Sequence, residues 1–156
     1  MTAELEHITI AEAARLIEAK QLSPVELAEA KLALIEGLEG QLDSFVTLMA
    51  DQAIEKARAA QDEIAAGTYR GPLHGVPLGL KDIYNTAGVL TAAQSRILID
   101  HVPDWDATTT KMLDTAGSVL MGKLTTHEFA HGGPSFDLPW PPARNPWNPE
   151  HFTGGS

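Results

Sequence analysis

The chain has 156 residues, 44% of them hydrophobic and 21% charged, with a formal net charge of −10 and no cysteine. That length allows one domain with a real core, since domains of this size bury about two-thirds of the unfolded chain's surface. The missing cysteines exclude a disulfide scaffold, a thiolate zinc site and a cysteine nucleophile, and the acidic balance argues against a phosphate-backbone binder, whose affinity rests on clustered Lys and Arg.

The N-terminus carries Glu4 and Glu6 in place of a basic region followed by an apolar run, so no signal peptide is expected. No stretch approaches the roughly 20 apolar residues of a membrane span. With the absence of cysteine, this fits a cytoplasmic protein.

The first third reads as helices. Thr9 followed by Glu12 is a capping-box pattern, and Ile10, Ala13, Ala14 and Ile17 recur behind it at helical spacing. Ser23, Pro24 and Glu26 form a second start signal, with Leu27, Ala30, Leu34, Ile35 and Leu38 as the apolar stripe and Gly37 and Gly40 as its end. Gln41 to Leu48 reads as a connector anchored by Phe45. A third helix is expected to reach about Ala66, burying Ala50, Ala53, Ile54, Ala57 and Ile64, and to stop at Gly67.

At Gly71 the pattern changes to frequent Gly and Pro. Between them Val76, Leu78 and Leu80 alternate as a buried strand would, and Thr86 to Leu90 reads as a turn. Asp106 can cap a helix through about Thr115, closed by Gly117, and Ser118 to Met121 is a second strand-like run. A helix between two strands is the βαβ pattern, which implies a parallel pair covered by helices. Pro134 to Pro149 holds six prolines in sixteen residues, which excludes a helix or a central strand. The expected organisation is a helical region over 1–70 and the start of an α/β core over 71–156, parts of a single domain.

Two features could carry chemistry. Lys81 ends the strand-like run, and a lysine desolvated there would lose its charged form and become a competent general base. The alternative is a strand-end lysine that extends its head to solvent. Thr153-Gly154-Gly155-Ser156 lets the backbone adopt unusual conformations and approach a ligand closely, although a flexible loop has the same composition.

Four segments in order resemble the amidase signature family. They are Gly71 to Asp82 (GPLHGVPLGLKD), Gly122 to Ala130 (GKLTTHEFA), Arg144-Asn145-Pro146-Trp147 and Thr153-Gly154-Gly155-Ser156, and the likeness covers roughly residues 9 to 156. The resemblance implies an α/β fold, a mixed sheet flanked by helices, and hydrolysis of a carboxamide C–N bond through a serine acyl-enzyme. Lys81 would be the neutral base. Ser156, whose preceding peptide bond is typically cis in the family, would bridge the base to a nucleophilic serine.

The nucleophile and the oxyanion-hole amides lie further along the family's chain, so a polypeptide ending at Ser156 is expected to be inert and to expose strand edges. Gly154, Gly155 and His131 are expected beside the substrate. Small-molecule amides are the expected partners, with a homodimer of the full-length enzyme as the allowed assembly. Neither cofactor, metal, membrane nor direct nucleic-acid contact is expected.

Three rivals accompany this reading. Within the family, the glutaminase subunit of a tRNA-dependent amidotransferase is one, and His127, His131 and the 136–142 segment lean away from it. His127-Glu128-Phe129-Ala130-His131 spells H-E-x-x-H, the zinc-protease motif, but Gly132-Gly133-Pro134 would stop the helix that motif needs. A non-catalytic fragment is the third. The family commonly carries Gly-Ser where this chain has Gln94-Ser95, which puts the local loop shape in doubt. Trp105, Trp140 and Trp147 are scattered and read as packing residues.

Overall fold

The computed structural model describes residues 5–155. They divide into two compact units, each assembled from three stretches of chain. The first takes residues up to Glu36, then Met49–Leu78 and Met112–Met121; the second takes Gly37–Leu48, Gly79–Lys111 and Gly122 onward.

In the first unit, helix α1 (Ile10–Glu18) begins where the capping pattern predicts, with Thr9 Oγ1 accepting from Glu12 N at 3.2 Å. Ser23 Oγ accepts from the amides of Val25 and Glu26 at 3.0 and 3.3 Å and so starts α2 (Pro24–Leu42). That helix runs through Gly37 and Gly40 instead of ending there. Glycine in a helix costs about 1 kcal/mol relative to alanine, which weakens the helix without ending it. Of the expected stripe, Leu27 and Ala30 are buried, Leu34 and Ile35 half-buried, and Leu38 exposed.

Helix α3 (Ala50–Ala65) buries Ala53, Ala57, Ala60 and Ile64. The core is Ala13, Ile17, Leu22, Leu27, Ile64 and Val76, with Leu16 and Tyr69 packed against it. Tyr69 in turn stacks on the buried ring of His74, their centroids 6.0 Å apart. His74 Nδ1 accepts from Arg70 N at 3.1 Å, and Nε2 lies 3.1 Å from Glu63 Oε2. Burial holds the His74 pKa below its ordinary value, while the Glu63 carboxylate pulls it back. Gly117, at φ +79°, leaves room for that ring, because a Cβ there would overlap it.

Three strands form one sheet: β1 (Phe45–Leu48), β2 (Pro77–Lys81) and β3 (Val119–Leu124), in the order β1-β3-β2. Strand β1 stands where the sequence reads as a connector. It pairs antiparallel with β3, Phe45 opposite Leu124 and Leu48 opposite Gly122. Four residues of a Phe-Val-Thr-Leu strand are too short for a clear alternation to show.

Bonds from Val119 N to Val76 O and from Asp82 N to Leu124 O ascend together along β2 and β3, so that pair is parallel and the sheet is mixed. Helix α4 (Thr108–Thr115) lies between them in the chain, as the βαβ pattern predicts. Asp106 does not cap it: its Oδ1 accepts from Ala87 N at 2.7 Å, closing the preceding loop instead. The proline-rich stretch ends in a small hairpin of β4 (Arg144–Asn145) and β5 (Asn148–Phe152). Trp147 sits in its turn and is 95% exposed, and Trp105 is also exposed, so neither packs as expected. Among the described residues, no helix is long and apolar enough to cross a membrane.

Candidate functional site

The second unit has an unusual interior. Lys81 closes β2 and is half-buried; the next residue, Asp82, has no exposed surface. Lys123 of β3 is equally buried, and its Nζ lies 3.4 Å from Asp82 Oδ1. The ammonium also donates to Tyr84 O at 2.8 Å and Thr91 Oγ1 at 2.7 Å. Lys123 thus makes two hydrogen bonds and a buried ion pair, and Asp82 Oδ1 is left with the ion pair alone.

Asp82 Oδ2 accepts from Ala92 N at 3.0 Å, and Asp82 O from Ala93 N at 3.0 Å. Burial pushes the Asp82 carboxyl up and the Lys123 ammonium down, and the attraction between them opposes both shifts. The cluster grips the 91–95 loop from the residue that follows Lys81. It can fix where the end of β2 points.

The loop passes through Ala93 and Gln94 at φ 48° and 50°. Gln94 and Ser95 are both buried. Ser95 Oγ donates to Glu128 Oε1 at 2.7 Å, and Phe129 N donates to Ala93 O at 2.9 Å. Gln94 Oε1 accepts from Thr126 N at 2.7 Å. A narrow cleft of about 50 Å³ lies among Thr125, Thr126, His127, Pro142, Gly154 and Gly155. Gly155 packs against the His127 ring, which a Cβ there would overlap as the ring stands.

The structure thus brings Gly154 and Gly155 together with Thr126 and His127 in one cleft. His131 is exposed and does not line it; His127 occupies that place, its Nδ1 2.7 Å from Gly132 O. Ser156 and the peptide bond before it lie outside the described residues.

The H-E-x-x-H string is not helical. Glu128–Ala130 is one 3₁₀ turn with Phe129 at φ 50°, so the two histidines do not share a helical face. Glu128 is engaged by Ser95. Among the described residues no group of three or more His, Asp or Glu is placed to hold a metal. Sequence reasoning missed Asp82 and Lys123 as a pair. Lys123 itself carries a signal, since Val119-Leu120-Met121-Gly122 leads into it much as Val76 to Leu80 leads into Lys81, but nothing local pairs it with Asp82.

The amidase family model matches residues 26–156. The chain belongs to the amidase family. Across 152 residues it is 46% identical to the A subunit of glutamyl-tRNA(Gln) amidotransferase from Azotobacter vinelandii, covering 97% of this chain and 31% of that protein. The corresponding protein of Moorella thermoacetica is 42% identical over 153 residues, with 98% and 31% covered.

Among solved structures, a bacterial aryl acylamidase of the amidase signature enzymes superposes with a TM-score of 0.86 at 30% identity, covering 96% of this chain and 31% of that one. A chain from a vestigial complex that bears on the origins of an s-triazine catabolic enzyme gives 0.89 at 30% identity, covering 96% and 33%. The chain spans about a third of the length of these relatives.

Proposed function

We infer that the protein hydrolyses a carboxamide C–N bond through a serine acyl-enzyme, with Lys81 as base and Ser156 as the bridging hydroxyl. The observation that carries this reading is the anchoring of Asp82. The residue next to Lys81 is buried, paired with Lys123 and bonded to the 91–95 loop, so the end of β2 is held on rigid elements. Catalytic side chains need such support, because misplacement by about 1 Å costs roughly a hundredfold in rate.

The bridging hydroxyl both accepts and donates, which lets a base act on a nucleophile it does not touch. The nucleophilic serine and the oxyanion-hole amides that this reading needs would come from outside residues 1–156. A cytoplasmic setting suits a chain with no cysteine to oxidise.

In a full-length protein carrying this segment, Lys81→Ala should lower kcat for amide hydrolysis by at least about a thousandfold with the melting temperature nearly unchanged. Retained activity would overturn the assignment. A second reading has one specific observation in its favour, the 46% identity to an amidotransferase A subunit. It expects glutamine to be the preferred amide, with turnover rising when partner subunits are added. Equal turnover of unrelated amides without partners favours the stand-alone enzyme.

A further inference from the structure

Gln94 holds a conformation that costs a residue with a Cβ about 1 kcal/mol or more, at φ 50°, yet it is only 2% exposed. Its amide is fully engaged. Oε1 accepts from Thr126 N at 2.7 Å, while Nε2 donates to Pro141 O at 3.1 Å and Trp140 O at 3.3 Å. Both donors of a primary amide are thus directed at one short segment.

That segment needs an outside donor. Pro139, Pro141 and Pro142 have no N–H and cannot build a ladder of their own. The neighbouring Arg96 adds a second tether, its guanidinium donating to Asp137 O. Thr126 and Pro142 both line the cleft that contains Gly154 and Gly155. One side chain therefore joins two of the cleft's lining segments, and the loop that carries it is bonded to the residue following Lys81.

We propose that Gln94 is a positioning residue that fixes the width of this cleft and so selects which amides reach the base. The proposal rests on the amidase reading above. The cleft lies between the 125–127 and 142–143 stretches and the 152–155 segment, so a shift of residues 140–142 changes its width. Releasing Trp140 and Pro141 would alter that width without touching the chemistry of Lys81.

The test uses the full-length protein carrying this segment, with Gln94→Ala and Gln94→Glu, against linear and α-branched primary amides. At neutral pH Gln94→Glu keeps the acceptor for Thr126 N and loses both donors, so it also serves if Gln94→Ala fails to fold. The expected result is a roughly tenfold rise in KM for the linear amide, the scale of two lost hydrogen bonds. Its preference over the branched amide should fall by a similar factor, with kcat and its pH profile unchanged.

Hydrogen exchange and limited proteolysis supply readouts independent of catalysis. The Thr126 amide should lose protection in Gln94→Ala and keep it in Gln94→Glu, and chymotryptic cleavage after Phe136 should quicken in both variants as Trp140 and Pro141 are released. An unchanged preference between the two amides, or unchanged cleavage after Phe136, overturns the proposal. If Lys81→Ala retains hydrolysis, the amidase reading fails, and the exchange and cleavage data still decide whether Gln94 holds the cleft.

Discussion

The two compact units are built on opposite kinds of interior. In the first, the closed core is Ala13, Ile17, Leu22, Leu27, Ile64 and Val76, all apolar. In the second, the most deeply buried side chains include Asp82, Gln94, Ser95 and Lys123. Apolar burial is non-directional, so many side chains of similar size would serve. A polar interior is different, because each group needs a particular partner at a particular distance. The second unit therefore gains less from burial itself and more in fixed geometry. The cleft and the end of β2 both lie in it.

The largest test of that contrast is Lys123→Ala. It leaves the Asp82 carboxylate buried without its cation, and breaking such a pair costs about 4 kcal/mol. Urea unfolding should show that loss. The paired change Asp82→Asn with Lys123→Met should regain a large part of it, because neither side chain then brings a charge into the interior. If the single change costs less than about 1 kcal/mol, the scale of an exposed ion pair, the polar interior is not what holds the second unit together.

Leu27→Ala examines the other unit in the same way. Leu27 is 1% exposed in a core of closely packed aliphatic groups. Lost transfer energy and the remaining cavity together give about 3 kcal/mol. No second substitution should compensate as the paired change does, since no charge is stranded. The two units would differ in how their losses can be repaired more than in how large they are.

What could be read from the sequence divides along the same line. The helices of the first unit announce themselves through local signals: Thr9 and Ser23 as caps, Pro24 at a first turn, and alanines at helical spacing in α3. Strand β2 showed in its alternation, and the βαβ order followed from it. Strand β1 did not show, since its place depends on pairing with β3 about 75 residues later. At the site, Lys81 and the glycine pair stood out because each has a local motif. Asp82 and Lys123 are 41 residues apart, and nothing local says that they meet. That His127 lies beside Gly155 is likewise a contact between residues 28 apart, which no local pattern announces.

Among the described residues the first unit buries one titratable side chain, His74, and pH can isolate it. Burial keeps the His74 pKa below its usual 6.5, so the unfolded chain binds a proton more readily than the folded one. The contribution is fully present above about pH 6.5 and is lost as pH falls from there toward the folded value. Glu63, lowered chiefly by its hydrogen bond from Arg70, has the same sign at a lower pH. Its contribution disappears as pH drops below the ordinary glutamate range near about 4.3. Urea midpoints for the parent and His74→Gln should converge as pH falls from about 7 to about 5, the range that brackets an ordinary histidine. A constant gap over that range would mean that His74 titrates alike in both states.

The smallest effect comes from the most local signal. Ser23 Oγ accepts two amides at the start of α2, and its hydroxyl also bonds to Gln61 of α3. Ser23→Ala removes a cap worth about 1 kcal/mol, while Ser23→Asp keeps an acceptor at the N-terminus and favours its positive end. If Gln61 supplies most of the energy, Ser23→Asp will be as unstable as Ser23→Ala, because a carboxylate cannot donate to the Gln61 oxygen. If the cap dominates, Ser23→Asp will lie within a few tenths of a kcal/mol of the parent. The second outcome would mean that the apolar unit's helices are set by signals within a few residues, in contrast to the 41-residue span that the pair in the polar unit must close.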